Sequence, residues 1–181
     1  MDKIAKEELL EMITNKIVNS KNNNLIIAGN ESKSILDEIP DTSPVSFIED
    51  KTKNGILYNI KIDLKKIKLQ DVFKYTISYL QKLNLLDNEK KYYLSFDNKI
   101  DVWRLDKILK ENNIITQLIF YNTEILSIEE QELFNELYYY FSYNFFIISL
   151  VNDHFNTYFL TNNRVLDSRE DYQRYVLKKQ P

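Results

Sequence analysis

Lys33 and Ser34 close the run Gly29-Asn30-Glu31-Ser32-Lys33-Ser34, which follows the apolar segment Leu25-Ile26-Ile27-Ala28. A strand that delivers a glycine turn and a Lys-Ser pair to a helix start is the arrangement with which backbone amides and an ammonium cradle phosphates. The fit is incomplete. Ser32 stands where the glycine before the lysine belongs, the first glycine of the motif is missing at its spacing, and Glu31 brings negative charge to the phosphate position. Neither a bound nucleotide nor its hydrolysis is expected, and no catalytic residue is assigned. A second cluster offers phosphate attraction without hydrolysis. Residues 51 to 74 hold seven lysines against two acids, Asp63 and Asp71. Within that window Lys51, Lys53, Lys61, Lys65, Lys66 and Lys68 are the candidate DNA-binding residues: two on a turn, the others running from a strand toward the next helix. Lysine-phosphate contacts hold nucleic acid by charge and carry no base information, so such binding tolerates any sequence and weakens with salt.

Three weaker constellations have simpler readings. Asp97, Asp101 and Asp106 supply oxygens of the kind calcium prefers, but their spacing of four and five residues is not that of a calcium loop, and helix capping by Asp97 or Asp101 is the simpler role. His154 follows Asp153 and could serve as an acid or base, although a lone loop histidine is usually a surface polar group. The cluster Tyr138-Tyr139-Tyr140-Phe141 with Tyr143 could stack on bases, yet a helix packed on a sheet must turn half of those rings into the core.

The elements that position these residues are legible from hydrophobic patterning. Gln117 to Asn122 and Phe145 to Val151 are strand-length apolar runs rich in β-branched and aromatic residues, as in central strands covered on both faces. Between them lies a predicted helix from Ser127 to Tyr143, opened by the Ser127/Glu130 capping pair, which makes a parallel βαβ unit. Ligands gather beyond the carboxyl ends of such strands, so the loop from Asn122 to Leu126 is a candidate site. Upstream, the spacing predicts an amphipathic helix over Ala5 to Val18, the strand Leu25 to Ala28, a helix from Glu31 to Ile39, and strands at Val45 to Ile48 and Ile56 to Leu64, with Asn54-Gly55 as the tight turn. A helix at Leu69 to Leu83, a strand at Tyr92 to Phe96 and a helix at Asp97 to Asn113 follow, and Arg164 to Pro181 reads as a basic tail.

Composition narrows the function classes. Without cysteine there is no disulfide, thiolate metal site or cysteine nucleophile, and one histidine argues against a histidine-based zinc site or a Ser-His triad. With two glycines and three prolines in 181 residues, asparagine is expected to do the turn work that glycine usually does. The net charge of −3 is unevenly spread: Glu124 to Glu136 carries five glutamates and no cation, opposite in sign to the lysine window. No run is long enough for a membrane span and the N-terminal stretch is too charged for a secretory signal, so a cytoplasmic protein is expected.

Several segments together resemble the type II-A CRISPR-associated spacer-acquisition family, whose members form tetrameric rings around double-stranded DNA ends. They are Gln117-Leu118-Ile119-Phe120-Tyr121-Asn122, Ile125 to Glu130, Phe145 to Val151, Val165-Leu166-Asp167 with Asp171-Tyr172, Ser46 to Lys53, and Leu25 to Leu36. The resemblance implies an α/β fold with a mostly parallel sheet, similar in topology to phosphate-loop nucleotidases with degenerate motifs. It implies a single domain over 1–181 with a small helical projection within about 65–113, shorter than the family's helical arm. It also implies DNA binding without enzymatic activity, a homotetrameric ring, calcium as a cofactor, and adaptation proteins and the effector nuclease as partners in antiviral defense. The family's leading strand is replaced here by what reads as a helix. Two other classes stay open: a divergent phosphate-loop ATPase or clamp-loader-like module using Lys33 and Ser34, and a protein-binding inhibitor or immunity module that docks through its glutamate-rich helix.

Overall fold

A computed structural model of the chain describes residues 2–20, 23–28, 32–137, 142–151 and 173–177. Among the described residues eight strands form one sheet: β1 (Asp2–Ile4), β2 (Lys16–Val18), β3 (Leu25–Ala28), β4 (Thr42–Phe47), β5 (Asn54–Asp63), β6 (Ile115–Tyr121), β7 (Phe145–Val151) and β8 (Gln173–Leu177). Their order is β1-β8-β3-β7-β6-β5-β4-β2, and among these pairs only β4 with β5 is antiparallel. The fold is α/β with a mostly parallel sheet, as the sequence predicts. Strands β6 and β7 are buried almost throughout, which explains why their sequences lack alternation.

The α-helices described that cover the sheet are α1 (Lys6–Thr14), α2 (Val72–Lys82), α3 (Lys99–Glu111) and α4 (Ile128–Leu137). One face packs α2, α3 and α4 through Phe73, Leu80, Leu105 and Phe134 against Ile60, Leu118 and Ile147. The opposite face packs α1 and a 3-10 helix, Ser32–Glu38, through Leu9, Ile13, Ile35 and Ile39 against Ile27, Ile119 and Ile148. The helical segment within 65–113 thus lies against the sheet, where Leu105 and Leu109 are fully buried. Helix α4 is the crossover of the predicted βαβ unit, and the Ser127/Glu130 box is formed: Glu130 N–H donates to Ser127 Oγ at 3.2 Å and Ser127 N–H to Glu130 Oε1 at 3.3 Å. The helix is described to Leu137, and Ser142 and Tyr143 lie outside it.

Several expectations are corrected. The predicted helix over Ala5 to Val18 stops at Thr14, and Lys16–Val18 instead joins the edge of the sheet beside β4. Strand alternation buries Lys16 and Val18 and turns Ile17 out, 56 % exposed, so the apparent helical stripe ended one turn early. A strand, β1, also precedes α1, and Gln173–Leu177 of the expected tail is a strand between β1 and β3. The segment after β3 is 3-10 and not α-helical. Asn54-Gly55 is not a turn: both residues open β5, and Gly55 sits where a Cβ would meet the Ile115 side chain at 3.2 Å. The turn is Asp50 to Lys53, closed by Lys53 N–H to Asp50 O at 2.9 Å and by the Asp50 carboxylate, which accepts from the Thr52 amide and hydroxyl. Tyr92 to Phe96 is not a strand of the sheet; it runs beside α2, with Phe96 N–H donating to Gln70 O at 3.4 Å. Asparagine does take the left-handed backbone positions, at Asn84, Asn113 and Asn122.

Candidate functional site

The carboxyl ends of β3, β5 and β6 bring together a polar network whose members belong to separate sequence motifs. Asn122 ends β6 with φ 57° and ψ 38°, a conformation asparagine tolerates better than most residues. Its side chain is buried and pinned from two directions. Lys33 Nζ, from the 3-10 helix after β3, donates to Asn122 Oδ1, and Asn122 Nδ2 donates to Asp63 Oδ1 at 2.6 Å at the end of β5. Burial pushes the Asp63 carboxyl up, but the Asn122 and Lys65 N–H donors and the Lys66 and Lys65 charges outweigh it and hold it below the usual carboxylate range. Glu124, on the 3-10 turn Thr123–Ile125, lies between two ammonium groups, 3.7 Å from Lys33 and 3.8 Å from Lys65.

This arrangement bears on the phosphate-loop motif. A lysine that holds phosphates needs its ammonium directed at the anion, and a magnesium site at the neighbouring strand end needs a carboxylate. Here the ammonium is directed at an amide oxygen and a glutamate, and the strand end is Asn122. Residues 29–31 of the loop lie outside the described residues. So do His154, Tyr138 to Phe141, Val165 to Asp167 and Asp171-Tyr172. No family model matches the chain, and no curated protein does either.

The lysine window divides into two groups. Lys51 and Lys53 are exposed on the β4–β5 turn, with Lys53 Nζ 4.7 Å from the centroid of the Phe47 ring. Lys65, Lys66 and Lys68 are on the loop after β5, at the other end of the strand. Ten residues of strand separate the groups, about 30 Å at the usual rise. Lys61 lies between them, partly buried, on the face that also carries Asn59 and Asp63. Among the described residues, Lys51, Lys66 and Lys68 have no carboxylate within ion-pair distance, whereas Lys65 approaches Glu124.

The aspartates considered for calcium do not converge. Asp101 is buried and accepts from Ser95 N–H at 2.8 Å and Arg104 at 2.9 Å, Asp97 accepts from the Ser95 hydroxyl, and Asp106 accepts from Ser142 and Asn144. Among the described residues no group of three histidine or acidic side chains is placed to hold a metal ion, and each of these three carboxylates already accepts hydrogen bonds from the protein. The cap of α3 is Asn98, whose Oδ1 accepts from Ile100 N–H at 3.1 Å, in place of the expected Asp97 or Asp101.

Lys16 carries no motif and is nonetheless the most perturbed cation described. It is 4 % exposed; its ammonium donates to Asn23 O at 2.6 Å and lies 5.0 Å from the Phe146 ring centroid. Burial lowers its pKa to about 7. The alternation of Lys16, Ile17 and Val18 is the one clue the sequence holds.

Proposed function

We propose that the protein is a non-enzymatic, cytoplasmic, sequence-independent binder of double-stranded DNA that assembles into a closed homo-oligomer and holds DNA ends during CRISPR spacer acquisition. The observation that carries the DNA reading is the group Lys65, Lys66 and Lys68 at the carboxyl end of a parallel sheet, with no carboxylate within ion-pair distance of Lys66 or Lys68 among the described residues. That edge is where α/β sheets present ligands. The Lys33–Asn122–Asp63 network favours binding over hydrolysis, because it engages the lysine a nucleotide would need. The turn lysines Lys51 and Lys53 add a second group about 30 Å away, close to the 34–36 Å of one duplex turn. Among the described residues no helix is long and apolar enough to cross a membrane.

Fluorescence anisotropy with a linear duplex at increasing salt tests the reading. Binding should be indifferent to sequence, and each phosphate contact should contribute about −0.9 to the slope of log affinity against log salt. Lys66→Glu with Lys68→Glu should weaken binding and flatten that slope. No binding at low salt would end the DNA reading. Heat released on titration with ATP and lost in Lys33→Ala would favour the ATPase module instead.

A further inference from the structure

A cavity of about 560 Å³ lies between α2 and the extended segment that follows it, and it takes in Lys74, the last lysine of the basic window. Its wall carries Lys74, Lys90 and Lys91, none with a carboxylate within ion-pair distance among the described residues. Asp101 is the one acidic residue in the lining, and its carboxylate faces inward onto Ser95 N–H and Arg104. The lining itself thus holds three lysines to one carboxylate, while Asp87 and Glu89 adjoin it in the chain and Asp97 accepts from Ser95 at its edge. The segment is held in place: Gln81 Nε2 donates to the carbonyls of Asp87 and Lys90, both at 2.9 Å, and Lys90 Nζ lies 5.3 Å from the Tyr92 ring centroid. Extended backbone alternates its side chains, so Tyr92 and Leu94 pack on the core while Tyr93 points outward, 82 % exposed. An outward ring in the same lining as three lysines, in a cavity within the usual ligand range of about 300–1,000 Å³, combines the two parts of a single-strand site: a stacking platform and a phosphate funnel.

We infer that this cavity takes an unpaired nucleotide, with its base on Tyr93 and its phosphate among Lys74, Lys90 and Lys91, so that the protein prefers a duplex with a single-stranded overhang to a blunt one. The inference rests on the DNA reading above and adds to it the form of the end that is held.

The experiment compares labelled duplexes of one sequence, blunt or with a short overhang, and the isolated single strand. The overhang should tighten binding about tenfold, the order expected for one stacked base. Tyr93→Ala and Lys91→Glu, both at exposed positions, should abolish that increment and leave blunt-duplex affinity as in the parent. Equal affinity for blunt and overhanging duplexes overturns the inference while the duplex reading stands. A preference that survives both variants also overturns it, by locating the single-strand contact elsewhere. Binding of single strand through Tyr93 with no binding of blunt duplex would uphold the cavity and overturn the duplex reading. Absence of binding to any of the three overturns both.

Discussion

Lys16 shows how far one residue can depart from what its letter implies. In the unfolded chain its ammonium titrates near 10.5, while burial beside Phe146 brings the folded value to about 7. Between those values the unfolded chain binds a proton that the folded chain releases, so stability rises with pH across the window. The limiting slope is about 1.4 kcal/mol per pH unit. Urea denaturation at several pH values from neutral to mildly alkaline should show this rise in the parent and a flatter profile in Lys16→Met; identical profiles would mean that Lys16 is charged and solvated in the folded protein. Beyond the alternation of Lys16, Ile17 and Val18, nothing in the local sequence marks Lys16 as buried, because burial follows from the strand pairing of Lys16 with Val45, which no local pattern contains. Asn122 is the opposite case, since its place at the end of a long apolar run already marks it as a strand terminus beside a candidate site. Two changes there separate its roles. Asn122→Gly keeps the left-handed backbone and loses the bonds to Lys33 and Asp63, at a cost of about 1–3 kcal/mol. Asn122→Ala should lose about 1–2 kcal/mol more, because alanine carries the steric penalty of that backbone. Equal stability of the two variants would remove the backbone argument.

At the level of elements, the scarcity of glycine forces a particular solution to ending helices. Helices α2 and α3 close with the same motif. After α2, Asn84 N–H donates to Gln81 O and Leu85 N–H to Leu80 O, at 2.9 and 3.0 Å; after α3, Asn113 N–H donates to Lys110 O and Ile114 N–H to Leu109 O, at 3.2 and 2.9 Å. Both asparagines have φ near the left-handed value, as this closure requires. Asn113→Gly should therefore stabilise the protein by up to about 1 kcal/mol and Asn113→Ala should destabilise it, as read by the urea midpoint. A loss on Asn113→Gly would mean the side chain makes contacts that outweigh its backbone strain. The βαβ unit was legible because its strands are long, apolar on both faces and joined by a capped helix. Short elements were not. Three residues at β1 and at β2 carry too little periodicity, and Tyr92 to Phe96 alternates like a strand while packing on a helix and a core instead of a sheet. Gly55 misled for a related reason: its small size serves a close approach within the sheet, whereas Asn-Gly in isolation spells a turn.

For the whole molecule, the lysine window was legible as charge but not as geometry. A strand of ten residues runs through it, so one basic stretch of sequence becomes two groups at opposite ends of β5. A single copy holding a duplex through one such group would bind weakly, because each exposed lysine contributes little and salt screens it. A closed ring changes the arithmetic by presenting the same group several times to one duplex, so that later contacts form at high effective concentration. The proposal of a homotetramer around DNA thus carries a quantitative consequence: a charge reversal is repeated in every copy, and its effect on affinity should exceed that of one lost phosphate contact. Lys51→Glu and Lys53→Glu suit this test, since the turn is fixed by Asp50 and Thr52 and both lysines are exposed. Paired with Lys66→Glu and Lys68→Glu, they also decide which end of β5 faces DNA. If both groups touch the same duplex, each pair of reversals should lower affinity and flatten the salt slope; if only the carboxyl end does, the turn variants should bind as the parent does. Sedimentation with and without linear duplex supplies the remaining arm, with a tetramer expected on DNA. Only monomers on DNA, with single reversals costing no more than one contact, would dispose of the ring and leave a monomeric binder.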